Sequence, residues 1–341
     1  LKYAGYDGMI IEGKASNPVY IWIDDDQVEI RDASHLWGIN SYDVQEKLKE
    51  ELGLDEIHAA SIDPAGELLN RFACITFGCR VTGRGGTGAV WGSKNLKAVV
   101  VRGSGSVDVP DLTKFKHFSD ELLTVFRNHP ATSQILPTYG TPVLVNANNA
   151  LGVFGSYNWR DEVFDNAQGL SGETMRETIV AKEKACFACP VRSSKFCIVK
   201  SKGNETVYVE GPEYENIYSL CSCCGVDSIK AVAVAERICD DYGMDAIEAG
   251  VAVAFAMECF EKGILTLEDT EGMDLRFGDE NVMLTMIHKI GKREGLGNLL
   301  AEGVKRVSEK LGQGSEDFAM HTKGMTFAGH SARGMPGFGL G

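Results

Sequence analysis

Lys97-Ala-Val-Val-Val-Arg-Gly-Ser-Gly-Ser-Val-Asp-Val-Pro-Asp-Leu112 holds the change of period that decides the fold. Before it, apolar runs are short and alternate with polar residues, at 8–11, 19–23, 28–30, 73–77 and 98–101, the pattern of half-buried strands. One helix interrupts them at 41–52, with Val44, Leu48 and Leu52 on one face and Gly53 placed as its stop. Gly103 to Pro110 reads as a linker, and beyond it the period becomes helical. Helices are expected at 112–126, 172–183, 228–241, 246–262, 281–292 and 298–311. The one after Asp245 carries the clearest signals, a capping-box-like Asp245 with Glu248 and a closing Gly263. Strands segregated before helices predict an α+β fold, a β-rich N-terminal domain followed by mainly helical structure. The expected division is 1–108, 109–320 and 321–341, the last being the start of a truncated third domain.

The chain has 341 residues, enough for two to three domains with a sizeable core. Apolar residues make up 44% and charged residues 24%, which argues against a disordered chain. Mean hydropathy is −0.11, and no run of about eighteen apolar residues suggests a membrane span. A formal charge of −14, from 34 basic and 48 acidic residues, speaks against a broad nucleic-acid or anionic-membrane footprint. Ten cysteines cluster rather than spread, and no signal peptide is expected from the residues ahead of them. Clustering favours metal ligation over a disulfide framework, and the expected compartment is the cytoplasm. Leu1 lies in what reads as a strand and Gly341 ends a glycine-rich stretch in mid-pattern, so a fragment is expected.

Two stretches carry chemistry. Gly83-Arg-Gly-Gly-Thr-Gly88 formally contains the dinucleotide fingerprint, but Lys97 to Arg102 beyond it reads as a strand rather than the helix that fingerprint needs. Closely spaced glycines let backbone N–H groups approach an anion, and Arg84 adds a forked donor for phosphate. The alternative is a tight turn with Arg84 in solvent. Cys186-Phe-Ala-Cys189-Pro, with Cys197 eight residues on, suits one metal centre. Zinc, completed from Cys221, Cys223 and Cys224, and an iron–sulfur cluster both accept thiolates. Cys74, Cys79, Cys239 and Cys259 fall in apolar runs and read as small buried hydrophobes.

Four stretches together resemble the aldehyde:ferredoxin oxidoreductase family. They are Gly83 to Ala98 (Gly-Arg-Gly-Gly-Thr-Gly-Ala-Val-Trp-Gly-Ser-Lys-Asn-Leu-Lys-Ala), Cys186-x-x-Cys189-Pro, Glu210-Gly-Pro-Glu-Tyr-Glu215 and Asp240-Asp-Tyr-Gly-Met-Asp245. Leu1-Lys-Tyr-Ala-Gly-Tyr-Asp7 and Arg31-Asp-Ala-Ser-His-Leu-Trp37 are similar to it too, and all six occur in the family's order. The likeness covers the middle of the family pattern, without its extreme N-terminal part and most of its last domain.

The resemblance implies a tungsten or molybdenum bis-pterin beside a 4Fe-4S cluster, with the β-rich domain seating the pterin. Arg84, Gly85, Gly86 and Gly88 would hold a pterin phosphate, near a bridging Mg²⁺. Asp240, Met244 and Asp245 would contact a pterin; a plain helix cap is the other reading of Asp245. Glu215 matches a family glutamate near the metal, with Glu213 the adjacent candidate and a solvated helix-start charge the bland alternative. The family's third cluster cysteine falls at Ser193, so Cys197 is expected to substitute beside Cys186 and Cys189. His330 does not match the family's active-site histidine and is expected to be an exposed loop residue. The implied reaction oxidises a small aldehyde to a carboxylate and passes electrons to a ferredoxin-like acceptor, with no nucleic-acid or membrane partner and room for a homo-oligomer. Alternatives are a benzoyl-CoA reductase-like protein with a thiolate from Cys221, Cys223 or Cys224, and a cofactor-free zinc scaffold.

Overall fold

A computed structural model describes residues 1–200 and 205–340, and they form two compact units. The first comprises Leu1–Thr113 with Cys239–Asp245 and Gly291–Arg293. Its strands are β1 (Val19–Asp24), β2 (Gln27–Asp32), β3 (His58–Ser61), β4 (Thr76–Phe77), β5 (Arg80–Val81) and β6 (Leu96–Arg102). They form one sheet in the order β2-β1-β6-β3-β4-β5, in which only β1 and β6 run parallel.

Alternation along β1 and β6 sends side chains to two faces. Tyr20, Trp22, Ala98 and Val100 pack on one side with Val44 and Leu48 of helix α1 (Ser41–Leu52). Ile21, Ile23, Val99 and Val101 pack on the other, with Ala4. The α1 helix starts where Asn40 accepts the Asp43 N–H at 3.1 Å and stops at Gly53, whose φ is 64°. The expected strand at 8–11 does not form, and Ile10 is 90% exposed. Of 73–77 only Thr76 and Phe77 are in a strand, while Ala73 makes an isolated bridge to Met244. Two short helices complete the unit, α2 (Pro64–Glu67) and α3 (Thr87–Ser93).

The second unit comprises Lys114–Ile238, Ala246–Ile290 and Glu294–Gly341. Its helices include most of α4 (Leu112–Asn128), then α5 (Leu136–Tyr139), α6 (Leu144–Ala150) and α7 (Gly172–Thr178). The expected helix at 172–183 ends at Thr178 and gives way to strand β7 (Val180–Lys184). β-Branched Ile179 and Val180 favour the extended chain once it can pair. A three-stranded antiparallel sheet results, with β8 (Ser194–Lys200) between β7 and β9 (Thr206–Glu210). No strand is expected past residue 110, and β8 and β9 form in the stretch between the helices expected at 172–183 and 228–241.

Helices α8 (Tyr214–Leu220), α9 (Ile229–Tyr242), α10 (Ala246–Glu261) and α11 (Glu280–Lys292) come next. Helix α10 is buried from Glu248 to Cys259 on every face, which its nearly continuous apolar sequence requires. Gly250 lets it approach the end of α8, since a Cβ there would overlap the Ser219 backbone. Glu248 accepts from the N–H and Oγ1 of Thr326, at 3.0 and 2.8 Å. The expected helix at 298–311 is two helices, α12 (Leu296–Leu300) and α13 (Val304–Leu311), divided by Gly303 at a φ of 83°. Among the described residues no single helix is long and apolar enough to cross a membrane. The α+β class holds.

Candidate functional site

In the first unit, residues 72–74 are a strap on which two motifs are hung. The backbone of Asp245 donates to Phe72 O at 2.9 Å, and Cys74 N donates to Gly243 O at 2.8 Å. From the glycine loop, Gly88 N donates to Ala73 O at 2.9 Å, and the Cys74 thiol donates to Gly83 O at 2.9 Å. Residues 240–245 and 83–88 are thereby fixed to one segment although about 160 positions separate them, a long-range closure that buried backbone pairing can stabilise. Met244 is buried and its sulfur accepts from Asn70 Nδ2 at 3.5 Å.

The loop's glycines divide by what surrounds them. A Cβ on Gly86 would overlap the Arg71 carbonyl oxygen, and one on Gly88 the Cys74 carbonyl oxygen. Gly85, at a φ of 104°, faces open space. The loop is therefore clamped on one side and bare on the other, where a ligand can meet backbone. Helix α3 directly succeeds it, contrary to the expected absence of a helix, because seven residues are too few to show a helical period. The surroundings are still not those of a dinucleotide fold: β5 precedes α3, β6 comes after it, and the two are not neighbours in the sheet.

Arg84 does not lie in solvent. Its Nε donates to Asp245 Oδ2 at 2.8 Å, with side-chain exposures of 20% and 6%. This joins the second candidate motif to the first by a charge-assisted bond, and the planar guanidinium of Arg carries further donors in the same fork. Asp240 lies half-buried at the start of the turn, and its carbonyl accepts from Gly243 N.

Behind the turn lies a buried polar group that sequence reasoning missed. Asp63 is fully buried, accepts from Thr76 Oγ1 at 2.7 Å, and lies where a Cβ on Gly243 would come within 2.5 Å of its Oδ2. Burial pushes its carboxyl up to about 7, against the pull of the Thr76 hydrogen bond and of Lys97. Lys97 Nζ is itself buried and satisfied by Ile39 O, Ile62 O and Glu67 Oε1, at 2.8, 2.7 and 2.5 Å. Desolvation lowers the Lys97 pKa and raises that of Glu67. The available signal was a lysine inside the strand sequence Leu-Lys-Ala-Val-Val-Val, which only a buried partner explains.

In the second unit, Glu213 and Glu215 flank Tyr214 at the start of α8 and do different things. Glu213 is the N-cap residue and its carboxylate accepts from Thr141 Oγ1. Glu215 is half-buried; its Oε2 accepts the Gly329 N–H at 2.7 Å and its Oε1 lies 3.5 Å from His330 Nε2. His330 is not the exposed loop residue expected. It stacks on Tyr214 with ring centroids 5.1 Å apart at 19°, and its Nδ1 lies 3.4 Å from Asn148 Nδ2. Gly329 is pressed on Tyr218, where a Cβ would come within 2.7 Å of the ring, which fixes the loop that carries His330. Glu215, His330 and Asn148 are thus gathered from α8, the loop after β11 (Met325–Thr326) and α6. Strand β11 pairs with β10 (His321–Thr322) in a small hairpin.

The cysteines are not gathered. Cys186 and Cys189 lie in a turn in which Cys189 N donates to Cys186 O at 3.1 Å, and Phe187 between them is 91% exposed. Cys197 is fully buried in the middle of β8, in register with Val180 and Val209, and burial pushes its thiol up to about 12. Among the described residues no three His, Cys, Asp or Glu side chains are placed to hold a metal ion. The expected substitution by Cys197 and the zinc set with Cys221, Cys223 and Cys224 both need such a group. Those last three thiols are fully buried: Cys221 donates to Ser228 O, Cys224 to the Ser219 and Gly250 carbonyls, and burial raises Cys223 to about 12. They are core residues. Cys74, Cys239 and Cys259 are buried as expected, whereas Cys79 is half-buried in the β4–β5 turn.

The order of these motifs has a counterpart among known proteins. The family model for the N-terminal domain of aldehyde ferredoxin oxidoreductase matches residues 1–103, and the model for its domains 2 and 3 matches residues 117–341. The chain belongs to the aldehyde ferredoxin oxidoreductase family. It is 44% identical to a tungsten-containing aldehyde ferredoxin oxidoreductase of Pyrococcus horikoshii, over 100% of this chain and 56% of the relative. It is 40% identical to the enzyme of that name from Pyrococcus furiosus, with the same shares. A solved active-site complex of benzoyl-coenzyme A reductase with 1,5-dienoyl-CoA is similar in structure, with a TM-score of 0.77, 28% identity, and 94% of this chain and 50% of that chain covered. The chain spans about 56% of the length of the curated relatives it matches.

Proposed function

We propose that this chain carries the pterin-holding and proton-moving parts of a tungsten-containing oxidoreductase that converts an aldehyde and water to a carboxylate. The observation that carries the reading is the glycine loop: clamped by backbone at Gly86 and Gly88, bare at Gly85, and tied through Arg84 to Asp245. These residues fit a phosphate-bearing group. Backbone N–H groups around Gly85 and the Arg84 fork would take the phosphate, and Asp240, Met244 and Asp245 would meet the pterin through carboxylate and backbone groups; molybdenum in place of tungsten, and a Mg²⁺ near the loop, rest on the family resemblance alone. When bound, such a group supplies a Lewis acid and a two-electron sink.

Glu215 supplies the carboxylate. Gly329 holds its Oε2 and His330 Nε2 stands 3.5 Å from its Oε1, and the carboxylate so held would take a proton from water as it adds to the aldehyde carbon, a contribution of about 10²–10⁴ in rate. Glu213 is committed to Thr141, which favours Glu215 for this part. Among the described residues no third metal-ligating side chain is grouped with Cys186 and Cys189, so a 4Fe-4S cluster held by this pair would need ligands from outside the described residues. No electron step is therefore assigned to this chain, and a ferredoxin-like acceptor rests on the family likeness alone. The likeness to benzoyl-CoA reductase supports an aromatic thioester as a second substrate class, although Cys221, Cys223 and Cys224 are spent on core packing. The test is Glu215→Gln in the full-length protein assayed on aldehydes and aromatic thioesters, with tungsten, molybdenum, iron and pterin counted. Turnover should fall about 10²-fold or more with cofactor content intact; unchanged turnover refutes the role.

A further inference from the structure

We propose that Gly329 and His330 form a clamp that holds the two oxygens of Glu215 and aims its carboxylate, with His330 a positioning residue whose tautomer Asn148 fixes. The inference deepens the role given to Glu215 and rests on it. Two neighbouring residues of one loop meet the two oxygens of one carboxylate: the Gly329 N–H donates to Oε2 at 2.7 Å and His330 Nε2 stands 3.5 Å from Oε1. An amide NH₂ can only donate, so Asn148 Nδ2, 3.4 Å from His330 Nδ1, makes Nδ1 the acceptor. The proton of the neutral ring then stands on Nε2, towards Glu215, and gives the carboxylate a second donor.

The ring is held in place from three directions. Tyr214 stacks on one face, Phe338 meets it edge-on with centroids 5.8 Å apart, and Asn148 is 4% exposed on α6. Tyr214 is fixed in turn, its hydroxyl donating to Gly329 O. The nearest cation in the loop, Arg333, is turned away to Glu162 and Trp159 O, both at 2.8 Å, so it does not compete for Glu215. The 3.5 Å contact is long, as donor–acceptor contacts around general bases often are until substrate arrives. The arrangement has the logic of a hydrogen-bonded triad, in which a buried third member sets the tautomer and orientation of an imidazole that serves the reacting group.

The test uses the full-length, cofactor-loaded protein in five forms: wild type, His330→Ala, His330→Gln, Asn148→Leu and Glu215→Gln. His330→Ala should lower kcat about 10- to 100-fold, the usual effect of removing such a supporting contact, with KM unchanged. His330→Gln should recover most of that loss, because its amide nitrogen can stand where Nε2 stands. Asn148→Leu should fall between them. Tungsten and pterin content should match wild type in all forms. Independently of activity, the infrared carboxylate band that Glu215→Gln removes should shift in His330→Ala and return in His330→Gln. A wild-type kcat in His330→Ala, no recovery in His330→Gln, an unshifted band, or cofactor loss in His330→Ala would each overturn the clamp. Full activity in Glu215→Gln would instead overturn the role of Glu215 itself, which keeps the two failures apart.

Discussion

The glycine loop and the cysteine turn are both short, both built on small or sulfur-bearing residues, and both belong to the family's pattern, yet they are made in opposite ways. Residues 83–88 are pinned by backbone hydrogen bonds to a buried strap, and a methyl group at Gly86 or Gly88 would overlap main chain. Residues 186–189 project, with Phe187 91% exposed and only a local turn bond between the cysteines. The first site is complete in its own packing. The second brings two thiols together with no third metal-ligating side chain grouped beside them among the described residues. Preorganisation is therefore a property of the first unit's loop, while the turn depends on whatever joins it.

The largest expected effect breaks the first side of that contrast. Gly88→Ala places a Cβ in contact with the Cys74 carbonyl, a backbone atom that cannot swing aside. Both the loop and the strap must move, so a cost of about 4 kcal/mol or more is expected in denaturant unfolding, at the severe end for point mutants. A change below about 1 kcal/mol would show that the loop is not clamped.

Asp63 sharpens the same side through pH. Its carboxyl stands near 7 in the folded chain against an ordinary value of 3.8, because burial disfavours the charge. A raised carboxyl binds its proton more tightly folded than unfolded, so its contribution is fully present below pH 3.8 and is lost as pH rises through 7. A rise of that size corresponds to about 4 kcal/mol across the window. Asp63→Asn, neutral throughout, should flatten this part of the stability curve measured by thermal unfolding between those limits. An identical slope in wild type and variant would mean that Asp63 titrates alike in both states.

Arg84→Ala removes one charge-assisted bond to Asp245 and should cost about 1.5–3 kcal/mol of stability while lowering bound pterin in the full-length protein. If pterin content stays at the wild-type level, the loop holds its ligand by backbone alone, and the bare side at Gly85 carries the whole site.

What was legible came from period and punctuation. The switch at 103–110, the α1 helix with its Gly53 stop, and the alternation that puts Tyr20 and Trp22 opposite Ile21 and Ile23 are local signals and appear in the structure. The sheet β7–β9 was not legible, because strand pairing is a non-local property and its runs are brief. Arg84 and Asp245 were each singled out, but for separate ligands; their contact spans 161 positions and no spacing rule reaches that far. His330 was passed over because its role comes from Asn148, Tyr214 and Glu215, distant in sequence, and a lone histidine among glycines gives no sign of them. Cys197 misled for the opposite reason: nearness in sequence to a Cys-x-x-Cys suggested convergence, whereas β8 carries it into the core.

The smallest effect bears on that last point and tests the cysteine side of the contrast directly. Cys197 lies in the central strand between Val180 and Val209, fully buried, and burial raises its thiol to about 12, so a thiolate there is disfavoured. As a packing residue it should tolerate Cys197→Ala at about 1 kcal/mol, the usual cost of a small loss of buried volume. Iron bound per full-length chain should not change. Cys189→Ala should do the reverse: stability within about 0.5 kcal/mol, since the turn is largely exposed, but iron reduced if the pair ligates a cluster completed from outside the described residues. The two variants thus exchange their effects between the two measurements. Loss of iron in Cys197→Ala would place that thiol at the metal and show that β8 rearranges around it; equal iron in both variants would remove the cysteine turn from the cluster altogether.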